Sequence, residues 1–70
     1  MRTKLEVIST QIKALEYDTE TEKLFVTFSN DKVYMYNNVP VEVFRNLIES
    51  ESIGRYFLNQ IKNNFKYSLI

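Results

Sequence analysis

Tyr34 and Tyr36 stand one residue apart in "SNDKVYMYNN" (29–38), and Arg55, Tyr56, Asn59, Lys62, Asn63 and Lys66 are spread through the segment 53–66. These are residue types that grip nucleic acid: rings on which bases stack, cations that meet phosphates, and amides that reach base edges. Successive side chains of a strand point to opposite faces, so Tyr34 and Tyr36 share one face while Val33 and Met35 share the other. On an open sheet the two tyrosines would form a stacking platform worth about 1–3 kcal/mol per base. An area argument points the other way. Phe44, Phe57 and Ile61 need large partners across the core, and the tyrosine rings can supply them. We expect both tyrosines to be at least half buried against helices, with one or both hydroxyls reaching polar partners at the layer's edge.

Arg55, Lys62 and Lys66 can present cations from one helix, with Asn59, Asn63 and Asn64 adding hydrogen-bond donors and Tyr56 at the margin. A plain solvated exterior is the competing description of that face. The candidate ligand-binding set is therefore Tyr34, Tyr36, Arg55, Tyr56, Asn59, Lys62, Asn63 and Lys66, and the ligand class is RNA or another phosphate-bearing molecule. The alternative is a protein-interaction module, such as a phage-type inhibitor of a host protein, working through exposed aromatic and apolar surface.

Other chemistries have little to work with. The 70 residues contain no cysteine and no histidine, which removes disulfides, thiolates and imidazole bases or ligands. The acids Asp18, Glu20, Glu22, Glu49 and Glu51 fall in exposed-looking turns, with no nucleophile, base and orienting group to assemble around them. We expect no enzyme activity, no metal site and no cofactor. Nine Lys and Arg balance nine Asp and Glu, so there is no global basic field of the kind that coats DNA. No run approaches the roughly 20 apolar residues of a membrane span, and "MRTKLEVIST" has no signal-peptide core, so a cytoplasmic chain with no membrane partner is expected.

The elements that must position these residues follow from periodicity. One domain over residues 1–70 is expected, since a chain this short buries only about 60% of its unfolded surface. "IKALEYD" (12–18) alternates imperfectly, with Leu15 and Tyr17 on one side and Ile12 and Ala14 on the other, as in a strand with a bulge near its middle. "LFVTF" (24–28) is the clearest strand, Leu24, Val26 and Phe28 alternating against Phe25 and Thr27. Asn30-Asp31 suits a tight hairpin with positive φ, and a strand over 32–36 follows. Pro40 fits the first turn of a helix carrying Val43, Phe44, Leu47 and Ile48. Ser52 is placed as the N-cap of a second helix on which Ile53, Phe57, Ile61 and Phe65 recur every four residues, with Leu58 widening the stripe. The expected fold is α+β: a three-stranded antiparallel β-meander followed by two α-helices packed on one face. A short N-terminal strand over 4–8 lengthens the sheet.

Ser9, Ile12, "ALEYD" 14–18, "LFVTF" 24–28, "VYMY" 33–36, "VP" 39–40, "SIGRYFLNQIK" 52–62 and the pair Phe65 and Tyr67 together resemble the KTSC family of small bacterial and phage domains. The likeness runs over about residues 9–67, with the Tyr-x-Tyr pair met by Tyr34 and Tyr36 and the Ser-x-Gly element by Ser52 and Gly54. The hairpin has Asn30-Asp31 where glycine is usual, and Ser50 stands in place of an alanine. Occurrence of this domain at the C-terminus of some lysyl-tRNA synthetases is what the resemblance contributes to the RNA expectation.

Overall fold

The structure, a computed structural model, describes residues 2–6 and 10–70. In chain order the elements are β1 (Arg2–Glu6), β2 (Ile12–Asp18), β3 (Lys23–Phe28), β4 (Val33–Tyr36), α1 (Val41–Glu49), α2 (Ile53–Tyr56) running into a π-helical turn (Phe57–Ile61), and β5 (Tyr67–Leu69). All strands join one antiparallel sheet in the order β1-β2-β3-β4-β5. The α+β class is as expected, but among the described residues the sheet has five strands rather than three. β1 covers part of the N-terminal strand expected over 4–8 and starts earlier; residues 7 and 8 lie outside the described residues, as does Ser9.

The expected last turn of the second helix is not formed, residues 62–66 being a turn that leads into β5, and the asparagines explain why. The Lys62 N–H donates to the Phe57 carbonyl five residues back at 2.9 Å, which widens the turn. The Asn64 N–H then donates to Ile61 O at 3.1 Å and its Nδ2 to Gln60 O at 2.8 Å, closing off terminal carbonyls. Asparagine side chains compete for backbone partners in this way, and so end helices rather than extend them. Phe57 and Ile61 do face inward, but Phe65 packs against the core from a non-helical segment.

The bulge in β2 sits at the start of the strand, with the register to β3 shifting between Ile12 and Ala14. That extra residue turns Ile12 onto the same face as Leu15 and Tyr17, whereas simple alternation put it opposite. The core cluster contains all three, with Leu24, Val26, Tyr36, Val39, Phe44, Leu47, Phe57 and Ile61. Each aliphatic side chain taken fully from water contributes about 1.5–3 kcal/mol. Ile48, expected in this stripe, is exposed on the outside of α1, because only Phe44 and Leu47 of that helix turn fully inward. Ala14, Phe25, Thr27 and Val33 line a shallow trough on the opposite sheet face.

Turns and caps hold this arrangement in register. At the β3–β4 hairpin the Asp31 N–H donates to Phe28 O at 2.8 Å and the Phe28 N–H to Lys32 O at 2.9 Å, with Asp31 at φ 68°. This is a three-residue loop in which a tight turn is followed by a left-handed residue, so Asp31 alone takes the positive φ expected of the Asn30-Asp31 pair. Pro40 stands one place before α1, at its N-cap rather than in its first turn. Ser52 caps α2 as expected, its Oγ accepting from the Arg55 N–H at 3.3 Å. No helix among the described residues is long and apolar enough to cross a membrane.

Candidate ligand-binding groove

The alternation of β4 turns Tyr34 and Tyr36 inward to the helical side, as the area argument expects. Tyr36 is 2% exposed, while Tyr34 is partly buried and packs against the core from the sheet's rim. Tyr36 therefore offers no stacking face, and the two-ring platform is not formed. Burial, helped by the neighbouring Tyr67 and Tyr34, pushes the Tyr36 hydroxyl up to about 12. The hydroxyl with a firm buried partner belongs to Tyr17, which donates to Val39 O at 2.6 Å.

Tyr34 and Tyr36 are two members of a closed circuit of rings. Phe28 meets Tyr34 edge-on at 5.2 Å and Phe57 at 5.5 Å; Phe57 meets Tyr36 at 5.4 Å; and Tyr67 of β5 lies against both Tyr34 and Tyr36 at 5.2 and 5.4 Å. All lie within the separations at which tilted and edge-to-face pairs attract. The circuit is buried on its Tyr36–Phe57 side, which is core, and open on its Phe28–Tyr34 side.

A groove of about 420 Å³ opens there, between the β3–β4 hairpin and the π turn. Phe28, Tyr34 and Phe57 supply ring surface, Leu58 and Lys62 overhang from the helical side, and Gln11, Ser29 and Asn30 form the polar rim. Leu58 and Lys62 are four residues apart, and the turn that ends the helix brings both to this rim. Leu58, expected within the core stripe, is instead 41% exposed. Among the described residues, no carboxylate lines the groove. Asp31, next to it in sequence, is occupied by Lys13 at 2.7 Å, and this partner raises the Lys13 ammonium above its ordinary value. The volume falls in the range of small-molecule sites, and an aromatic lining with one cation and a few amides suits a planar ligand carrying negative charge.

The remaining candidates do not converge on it. Arg55, Tyr56 and Asn59 lie together in a second depression at the α1–α2 junction, beside Ser50, Glu51 and Ser52. Lys66 lines a third with Asn37, Asn38 and Asn64. Asn63 is exposed outside these depressions. The basic face drawn on one helix is thus divided, because the helix ends at Ile61 and Lys66 belongs to the stretch leading into β5. Phe28, Phe57, Leu58 and the hairpin residues went unnamed as site residues; a signal was present in Phe28, the last inward residue of the strongest strand, abutting a polar turn.

Among the described residues, a five-stranded antiparallel sheet backed on one face by two helices, with an aromatic groove at the hairpin end, defines a small α+β domain. The chain belongs to the KTSC domain family, whose family model matches residues 8–65. It is 43% identical over 53 residues to an uncharacterized protein of Stutzerimonas stutzeri, covering 76% of this chain and 73% of that protein. It is 39% identical over 56 residues to a lysine–tRNA ligase of Nostoc sp., where the match covers 80% of this chain but 10% of the ligase. The crystal structure of a KTSC domain protein from Yersinia pestis superposes with a TM-score of 0.94 at 28% identity, covering 100% of this chain and 99% of that one.

Proposed function

We propose that this domain is a non-enzymatic binding module that holds one unstacked nucleotide of an RNA, base and phosphate together, in the hairpin groove. The observation that carries this is the juxtaposition of Phe28 and Tyr34 with Lys62 at the rim of one groove whose described lining holds no acid. The base lies against Tyr34 and Leu58, Asn30 and Gln11 face its edge, and Lys62 meets the phosphate. Unstacked bases are held this way by single-strand readers, at about 1–3 kcal/mol per stacked base. The similarity to a segment of lysine–tRNA ligases supports an RNA ligand over a free anion.

One groove with one cation makes a specific claim about salt. Neutralising one phosphate of a single strand gives a slope of log affinity on log salt near −0.7, and a basic surface touching several phosphates gives a multiple of that. Fluorescence anisotropy with short unstructured RNAs should show weak binding, a slope near one phosphate, and a loss of roughly tenfold or more in Lys62→Gln. No binding by the parent protein, or unchanged binding in both Lys62→Gln and Leu58→Ala, contradicts the reading. A protein-interaction role draws on a different surface, the exposed apolar residues of β5.

A further inference from the structure

The hairpin that walls the groove commits its hydrogen-bond acceptors to its own turn. Phe28 O accepts from the Asp31 N–H at 2.8 Å, Lys32 O from the Phe28 N–H at 2.9 Å, and Gln11 O from the Ser29 N–H at 2.9 Å. Asp31 Oδ1 takes the Lys13 ammonium at 2.7 Å. Asn30, exposed at the loop and lining the groove, turns its side-chain oxygen back in the same way: Oδ1 accepts from the Lys32 N–H at 3.1 Å. That bond fixes which end of the amide is which, because a backbone N–H can face only the oxygen. The Asn30 NH2, two N–H donors and no acceptor, is therefore the end turned away from the loop backbone, and it has no partner among the described residues.

We propose that the groove selects keto bases, uracil and guanine, over amino bases, adenine and cytosine, and that the Asn30 NH2 makes the choice; this rests on the reading of the groove as a nucleotide site. Asparagine ordinarily grips adenine with both ends of its amide, the oxygen accepting from the N6 amine while the NH2 donates to N7. Here the oxygen is held by the Lys32 N–H, so only the donating end faces a ligand. Uracil O4 and guanine O6 are acceptors and complete that bond. Adenine N6 and cytosine N4 each bring an amine instead, and a donor pressed against a donor loses its water and gains no partner. A carboxylate is the group that receives the cytosine amine, and the described lining of the groove holds none. Gln11 and Ser29 each carry a donor and an acceptor and so suit either class of edge. Lys62 is a donor only, and in this reading it is occupied by the phosphate, which carries no sequence information.

Alternating UG and alternating CA repeats of equal length carry the same charge and the same purine content, and differ in keto against amino edges. In fluorescence anisotropy of the full chain at a single fixed salt concentration, the UG repeat should bind about fivefold or more tightly than the CA repeat. Asn30→Asp keeps an oxygen for the Lys32 N–H and puts a second oxygen where the NH2 stood. It should keep the hairpin, weaken both RNAs through its charge, and reverse their order. Asn30→Ser keeps an oxygen for the turn without the NH2; it should bring the two affinities together, and carries the test if the aspartate variant does not fold. Equal binding of the two repeats, with Lys62→Gln still losing affinity, overturns the base selection and leaves the groove as a nucleotide site. A preference for the CA repeat, or an order unchanged in a folded Asn30→Asp or Asn30→Ser variant, overturns it as well. Failure of the chain to bind either repeat removes the nucleotide reading and this inference together.

Discussion

Tyr17 and Tyr34 are the same residue type on neighbouring parts of one sheet face, and the structure uses them in opposite ways. Tyr17 is 1% exposed, stacks on Phe44 at 4.6 Å with ring planes 10° apart, and commits its hydroxyl to Val39 O at 2.6 Å. Val39 in turn gives its N–H to Glu22 O at 2.9 Å, so one residue of the β4–α1 connection is tied to both β2 and the loop after it. Tyr34 instead meets Phe28 edge-on and Tyr67 at a tilt, and leaves surface on a groove. The closed end of the sheet face holds the fold together, and the hairpin end leaves ring area open in the groove where we propose that a ligand binds. Substitutions at the two ends should therefore separate stability from binding.

The largest stability effect belongs to the closed side of the ring circuit. Phe57→Ala removes a 2%-exposed ring that touches Phe28 and Tyr36, and should lower stability by about 3–5 kcal/mol through lost burial and a cavity, read in a urea melt. A loss below about 1 kcal/mol places that ring outside the core and erases the distinction between the ends.

Alkaline titration sharpens the comparison next. Below pH about 10 the Tyr36 hydroxyl is protonated in both folded and unfolded chains, and its stabilising contribution is whole. Between that value and about 12 only the unfolded chain loses the proton, so stability should fall with rising pH by about 2–3 kcal/mol across the window. Burial also raises the Tyr17 hydroxyl, ahead of the neighbouring charges of Glu22 and Asp18, and acts in the same direction. Tyr36→Phe should flatten part of this slope in denaturant melts taken from pH 9 to 12; an unchanged slope contradicts the assigned burial.

Tyr17→Phe should destabilise by about 1–2 kcal/mol, since it removes one hydrogen bond and leaves the Val39 carbonyl without that partner. For a domain this size that is a melting-temperature drop of roughly 4–8 °C per kcal/mol. Tyr34→Phe, lacking such a bond, should shift it far less. The smallest effect is expected for Lys13→Met. Its ion pair with Asp31 lies on side chains 61% and 73% exposed, where solvent screens it, so the melting temperature should hardly move.

How much of this was legible depended on the range of the contacts. Leu24, Val26 and Phe28 alternate within a single strand, and Phe57 and Ile61 recur within one helical turn, so local periodicity sufficed to place them. Ser52 was readable as a cap for the same reason. Ile12 was misplaced because a bulge adds a residue without altering composition, and everything before it changes face. β5 was invisible because three exposed residues carry no pattern; their strand exists only because β4 offers an edge. The groove draws on a loop, a hairpin and a π turn far apart in sequence, so Tyr34 and Lys62 could be named from their types but not paired with Phe28 and Leu58. The expected company of Arg55 and Lys66 assumed a helix that ran past Ile61.

The central claim is that ligand recognition resides in the hairpin groove, and amide chemical-shift mapping with a short unstructured RNA tests it most directly. The account predicts shifts concentrated at Phe28, Ser29, Asn30, Tyr34, Leu58 and Lys62, with the Arg55–Asn59 depression quiet and Lys62→Gln suppressing the shifts. Perturbations centred on Arg55, Tyr56 and Asn59, or a spectrum unmoved by RNA, would contradict it.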